Sequence, residues 1–214
     1  MVDGHALESL RGMMVEAVQS AIETASRQKE LNSLSIFTVT VMLATVTMTF
    51  GALITVFVMR SENAHLWGPI QIPGVLWAST AILLTSSLTF EAAKRKLMQN
   101  DQQGFFRLMA WTTGLGVLFL IGQIIAALQI VHSGVILAHN AHSWFIFLFT
   151  GLHGLHIVAG LAGLVYLLGR TWRPASGPKY QTHTRAIANG VAVFWHYLDL
   201  VWFVLFALLL FWRR

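Results

Sequence analysis

Two stretches of the sequence gather polar groups in otherwise apolar surroundings. One reads Thr150-Gly151-Leu152-His153-Gly154-Leu155-His156, with Gly160 and Gly163 further on. On a helix, His153, His156, Gly160 and Gly163 fall three, four and three residues apart and share a face. Small residues there let a second helix approach closely, and imidazoles can hydrogen-bond across the contact. The other stretch reads Trp195-His196-Tyr197-Leu198-Asp199-Leu200-Val201-Trp202. His196 and Asp199 lie on adjacent turns of one face. Such groups admit three chemistries: a proton path or ion site, axial ligation of haem by histidines on facing helices, and a polar clasp between helices. A relay normally needs several acids along its length, and here there is one, so the clasp is favoured. The one close intramembrane histidine pair has no carboxylate beside it, which argues against a transition-metal site. His132, His139 and His142 gather in a loop and read as solvated residues. No catalytic, metal or cofactor-binding residue is expected in this chain.

The elements that carry these groups are membrane helices. The 214 residues are 56% hydrophobic and only 11% charged, under half the charged share of about 25% in soluble domains. A bilayer solvates such a surface and water does not. Five segments free of Lys, Arg and Glu are long enough to cross about 30 Å of hydrocarbon. They run over residues 34–59, 70–90, 108–131, 143–168 and 186–212, and Asp199 is the one acid inside any of them. The fold class expected is therefore all-α, an integral membrane bundle of five helices. Pro69 and Pro73 suit the first turn of the second segment.

Loop charges orient the bundle. With the N-terminus inside, eleven of the fourteen Lys and Arg fall in inner segments and three outside, a strong positive-inside signal. The C-terminus is then periplasmic. No apolar core lies near the N-terminus, so no cleaved signal peptide is expected. Residues 1–33 form a separate cytoplasmic region. There Leu7, Leu10, Met13, Met14, Val18 and Ile22 recur at helical spacing, an amphipathic helix expected to pack on the inner ends of the bundle. Residues 34–214 make up the transmembrane domain. Cysteine is absent, which removes thiolate chemistry, and the +5 net charge reflects topology rather than nucleic-acid binding. Trp67, Trp77, Trp111, Trp144, Trp172, Trp195 and Trp212 sit near segment ends as an interfacial belt. Trp202 is mid-span.

In its last two segments the chain resembles subunit III of the haem-copper terminal oxidases, the cytochrome c and quinol oxidases, in the five-helix bacterial form. Thr150, Gly151, His153, Gly154, His156 and Gly160 match that family's penultimate helix, and Trp195, His196, Asp199 and Trp202 its last. Pro73, Leu76, Ser86, Ser87 and Thr89 resemble its P-x-L-N-T…S-S…T stretch, with Ser79 for the asparagine, and Gln123 fits more loosely. The chain departs from the family in lacking a glutamate near Thr45 and in having Ala126 where a second is usual. The resemblance implies a non-catalytic subunit, in the bacterial inner membrane, that packs on haem-copper subunit I. It implies subunit II and other small subunits as further partners, bound phospholipid, and haem and copper in the partners alone. Alternatives from the sequence are an accessory subunit of a nitric oxide reductase and an independent transporter or b-type cytochrome.

Overall fold

The computed structural model describes residues 4–61, 74–132, 141–172 and 178–211. Within them the chain is all-helical: α1 (Gly4–Ser61), α2 (Val75–Met98), α3 (Gln102–His132), α4 (Ala141–Trp172) and α5 (Pro178–Phe211). Each contains a stretch long and apolar enough to span a membrane: Ile36–Arg60, Val75–Met98, Gln102–His132, Trp144–Trp172 and Thr182–Phe211. Pro69 and Pro73, Trp67 and Trp212, and His139 lie outside the described residues, as do the side chains of Leu7, Leu10 and His142.

Helices run further than the charge-free segments suggested. α2 continues past Phe90 through Glu91, Lys94, Arg95 and Lys96 to Met98, since charged residues at a helix end can reach the membrane interface without ending the helix. The N-terminal region differs more. It is not a separate helix packed on the bundle but the first half of α1, a single helix of 58 residues. No Gly or Pro falls between Met13 and Phe50, so nothing in the sequence stops the helix there. The described part of the apolar stripe does not meet the bundle: Met13, Met14, Val18 and Ile22 are all more than half exposed.

α5 is the centre of the bundle. It packs on α1, α2 and α4, while α3 closes the remaining side against α2 and α4. The buried positions of α3 are Phe105, Met109, Thr112, Gly116, Phe119, Gln123, Ala126 and Ile130. Their strict alternation of four and three residues is the seam of left-handed helix packing. Opposite faces carry exposed apolar residues such as Leu88, Ile124, Leu155 and Val165. Water penalises such faces and lipid accepts them.

One end of the bundle is tied by polar contacts. Between α2 and α3, Asn100 takes a positive φ of 60°, a conformation asparagine tolerates better than most residues. Asp101 then caps α3, its Oδ1 accepting from the Gly104 amide at 2.8 Å. That bond, helped by Lys96, holds the Asp101 carboxyl below the usual carboxylate range. Arg185, at the start of α5, donates to Asn100 Oδ1 at 3.0 Å. Arg170 donates to Thr184 Oγ1 at 3.0 Å and lies over the Tyr180 ring.

Candidate functional site

Four side chains of the α5 motif reach the same face of α2. Trp195 Nε1 donates to Ser86 Oγ at 3.2 Å, and Trp202 Nε1 donates to Thr80 Oγ1 at 3.0 Å. Between them, Ser87 Oγ donates to Asp199 Oδ2 at 2.7 Å and contacts His196 Nδ1 at 2.6 Å. Trp195 pairs with residue 86 and Trp202 with residue 80, so the two helices run antiparallel. The seven-residue step between the tryptophans places both on the α2-facing side.

A serine hydroxyl has one proton. With that proton given to Asp199, Ser87 must accept from His196, which fixes a hydrogen on Nδ1. The result is a hydrogen-bond chain from His196 through Ser87 to Asp199. His196 Nδ1 and Asp199 Oδ2 are themselves 3.6 Å apart, so the serine oxygen bridges them. On the other side of the ring, His196 Nε2 stands 4.0 Å from Glu91 Oε2, and Glu91 pairs with Lys94 at 3.3 Å. Asp199 is 6% exposed, and its Oδ1 has no hydrogen-bond partner among the described residues.

The histidines of α4 do not join this chain. His153 is fully buried in an aromatic box. It stacks on Trp202 at 5.3 Å between centroids, with Phe119 at 6.0 Å and Phe50 at 6.3 Å. His156 turns toward α1, 5.6 Å from the Phe50 ring, and its Nδ1 lies 2.7 Å from its own helix's Leu152 carbonyl. The clasp expected between the fourth and fifth helices is thus divided. Asp199 and His196 bond to α2, and His153 meets α5 through ring stacking. The reason is spacing: Asp199 and Trp202 lie on neighbouring turns, and Trp202 alone reaches both Thr80 and the His153 ring.

The α4 glycines also have separate neighbours. A Cβ on Gly160 would lie 3.0 Å from the Trp195 ring, and one on Gly163 would lie 3.3 Å from Val191. These two positions let α4 and α5 close up. Gly151 has nothing within 4 Å, and Gly154 only a Leu120 methyl at 3.7 Å, so that part of α4 faces open space. Trp195, expected in the interfacial belt, is instead fully buried. The belt description suits Trp77, Trp111, Trp144 and Trp172, which are more than half exposed.

Several site residues carried no role in the sequence reading. Thr80 and Ser87, seven apart on α2, form the matching half of the tryptophan and aspartate contacts, and their spacing is the signal that would have paired them. Gly116 of α3 lets Trp195 in, because a Cβ there would sit 2.8 Å from both Trp195 and Leu161. Glu91 lay one residue beyond the expected end of its segment. Thr47 Oγ1, 2.5 Å from Tyr197 Oη, ties α1 to α5. Among the described residues no three His, Asp or Glu side chains converge as a metal ligand set.

A family model described as cytochrome c oxidase subunit III matches residues 6–214. The chain is 28% identical over 210 residues to the "Probable cytochrome c oxidase subunit 3" of Mycobacterium leprae (strain TN), covering 97% of this chain and all of that protein. It is 31% identical over 160 residues to the protein of that name from Nocardia farcinica (strain IFM 10152), covering 73% of this chain and 77% of the relative. The "Cytochrome c oxidase subunit 3" of a Synechocystis strain is 25% identical over 213 residues, covering 89% of this chain and 88% of the relative.

Proposed function

The chain belongs to the cytochrome c oxidase subunit III family, and from that premise we propose that it is the non-catalytic third subunit of a bacterial respiratory oxidase. Its work is to hold the haem-copper subunit and associated lipid in a stable assembly, while oxygen reduction takes place in subunit I. The observation that carries this reading is how the intramembrane polar groups are used. Trp195, His196, Asp199 and Trp202 all bond to Thr80, Ser86 and Ser87 within the same chain. These bonds fix α5 against α2 and leave the outer faces of the bundle apolar for lipid and other subunits. The named relatives are all oxidase subunits, which supports an oxidase over a nitric oxide reductase.

Haem and copper belong to the partner subunits, and subunit II completes the core. An open groove of about 430 Å³ between α1 and α5, lined by Ile36, Val39, Leu43, Ala186 and Val193 among others, is suited to a phospholipid acyl chain. The end of the bundle that carries Lys96, Arg170 and Arg185 faces the cytoplasm, with the C-terminus in the periplasm.

Affinity purification of the tagged chain from native membranes in mild detergent tests this. The expected result is a haem-bearing complex with an oxidase visible spectrum, while the chain expressed alone is colourless. A stoichiometric Soret band on the isolated chain, lost in His153→Ala or His196→Ala, would overturn it in favour of a cytochrome. Recovery of the chain without any haem protein would also overturn it.

A further inference from the structure

Five buried hydrogen-bonding atoms without a partner among the described residues fall in one layer of the bundle. They are Ser79 Oγ on α2, Oε1 and Nε2 of Gln123 on α3, and both ring nitrogens of His153 on α4. The three residues are 1%, 4% and 0% exposed. Their neighbours set them level. A Cβ on Gly122, the residue before Gln123, would lie 2.5 Å from Ser79 Oγ, so Ser79 sits against Gln123's own turn of α3. One turn along that helix, Phe119 meets the His153 ring at 6.0 Å and the Trp202 ring at 5.2 Å. Trp202 in turn stacks on His153 and donates to Thr80, the neighbour of Ser79. These contacts close a loop through α2, α3, α4 and α5. Gln123 also borders an outward groove with Thr150 and Gly154, but its amide atoms are shut off from that groove and belong to the buried seam of α3.

We propose that this layer is an internal hydration site: at least one ordered water, held between α2, α3 and α4, bridges Ser79, the Gln123 amide and the His153 imidazole. An amide and an imidazole left unpaired in hydrocarbon are costly, and a buried water typically makes about three hydrogen bonds to such groups. The chemistry of the three side chains matches water. Together they offer donors and acceptors, and water uses both. An ion suits them less, because none of the three carries a formal charge when His153 is neutral. Asp199 bonds to Ser87, eight residues and about 12 Å along α2 from Ser79. Gln123 is six residues from the midpoint of α3, about 9 Å at 1.5 Å per residue and inside the roughly 15 Å half-thickness of the hydrocarbon. An uncompensated charge at that depth is expensive. An acyl chain brings no hydrogen-bonding group at all. The site ties α2, α3 and α4 through one ligand, apart from the α2–α5 hydrogen bonds, and does not depend on the subunit reading.

The test is a high-resolution cryo-electron microscopy map of the assembly purified from native membranes. The expected result is a non-protein peak about 2.7–3.2 Å from the Gln123 amide and from Ser79 Oγ or a His153 nitrogen. A map in which the side chains bond one another directly, with no such peak, overturns the site. So does a peak with contacts of about 2.0–2.6 Å, the range of bound cations. A double-mutant cycle reads the bridge energetically. Ser79→Ala and His153→Phe lie on different helices, and without a shared ligand their effects on the SDS-induced unfolding constant multiply. A shared water makes the double variant depart from that product by about threefold, the usual worth of one membrane hydrogen bond. A simple product overturns the bridge. If His153→Phe fails to fold, the map decides alone.

Discussion

Replacing Ser87 by alanine should damage the α2–α5 contact more than removing Asp199 itself. The Ser87 hydroxyl serves two partners, Asp199 Oδ2 at 2.7 Å and His196 Nδ1 at 2.6 Å. Asp199 Oδ1 already has no partner among the described residues. Without the hydroxyl, Oδ2 keeps only His196 Nδ1 at 3.6 Å, beyond hydrogen-bonding range. Two membrane hydrogen bonds at about 0.6 kcal/mol each set a floor near 1 kcal/mol. The cost of a stranded buried acceptor raises the expectation to about 1–3 kcal/mol. Asp199→Asn retains an oxygen for Ser87 and should stay within about 1 kcal/mol of wild type. Asp199→Leu removes the acceptor but strands little, because a helical serine can turn its proton to a carbonyl of its own helix, as Thr80 and Thr85 do. It should loosen the chain by about 1 kcal/mol, less than Ser87→Ala.

The decisive variant is the double substitution Ser87→Ala with Asp199→Leu. If the cost of Ser87→Ala is a stranded carboxylate, deleting that carboxylate recovers part of it, and the double variant is more stable than Ser87→Ala alone. Titration with SDS in mixed micelles, followed through the fluorescence of the buried Trp195 and Trp202, measures the ranking. A double variant weaker than Ser87→Ala refutes the stranded-acceptor argument. Oxygen uptake by the assembled complex separates the clasp from a proton path. Asparagine preserves the hydrogen bond and cannot carry a proton, so a normally assembled but inactive Asp199→Asn complex would refute the clasp.

Gly116→Ala places a Cβ 2.8 Å from Trp195 and Leu161 and should cost about 1–3 kcal/mol by overpacking; Gly114→Ala, with nothing within 4 Å, should be neutral or stabilising by up to about 1 kcal/mol in the same titration. The Asp101 cap should persist through mild acid. Its folded pKa is depressed by the Gly104 amide and Lys96, so its stabilisation is present above the ordinary carboxylate range and is lost only as pH falls through the lower folded value. Hydrogen exchange at the Gly104 amide against pH reads this, and Asp101→Ala should expose that amide at every pH. A reporter fused after Arg214 should report the periplasm and one within residues 171–185 the cytoplasm, and the reverse at either site would overturn the orientation.

What the sequence made legible follows from which constraints are local. A bilayer sets a minimum apolar length, so all five helices could be read from runs without Lys, Arg and Glu. The two motifs could be read because their residues share helices. The partner of each motif could not, since spacing within a helix says which side chains lie together and nothing about which neighbour they meet. The sequence placed the two histidine-bearing helices against each other, and α4 and α5 do pack together. Yet the hydrogen bonds of α5 go to α2, a helix whose serines and threonines looked unremarkable singly. Ser79, Thr80, Ser86, Ser87 and Thr89 are ordinary helix residues with hydroxyls that commonly back-bond to their own turn. Three of them, Thr80, Ser86 and Ser87, become specific only when Trp195, Asp199 and Trp202 arrive opposite.

Trp195 was misplaced for a related reason. Tryptophan near a segment end is usually interfacial, and here the segment end itself was misjudged. α5 starts at Pro178, eight residues before the charge-free run begins, so Trp195 lies 17 residues into the helix and not nine. Its indole then needs a buried acceptor, Ser86, and room for its ring, which Gly116 and Gly160 provide by lacking a Cβ. Three helices thus converge on one side chain: α2 with a hydroxyl, α3 and α4 each with a glycine. Substituting any of the three should be felt at the others, and this coupling makes the intramembrane motif a structural unit rather than a row of independent groups.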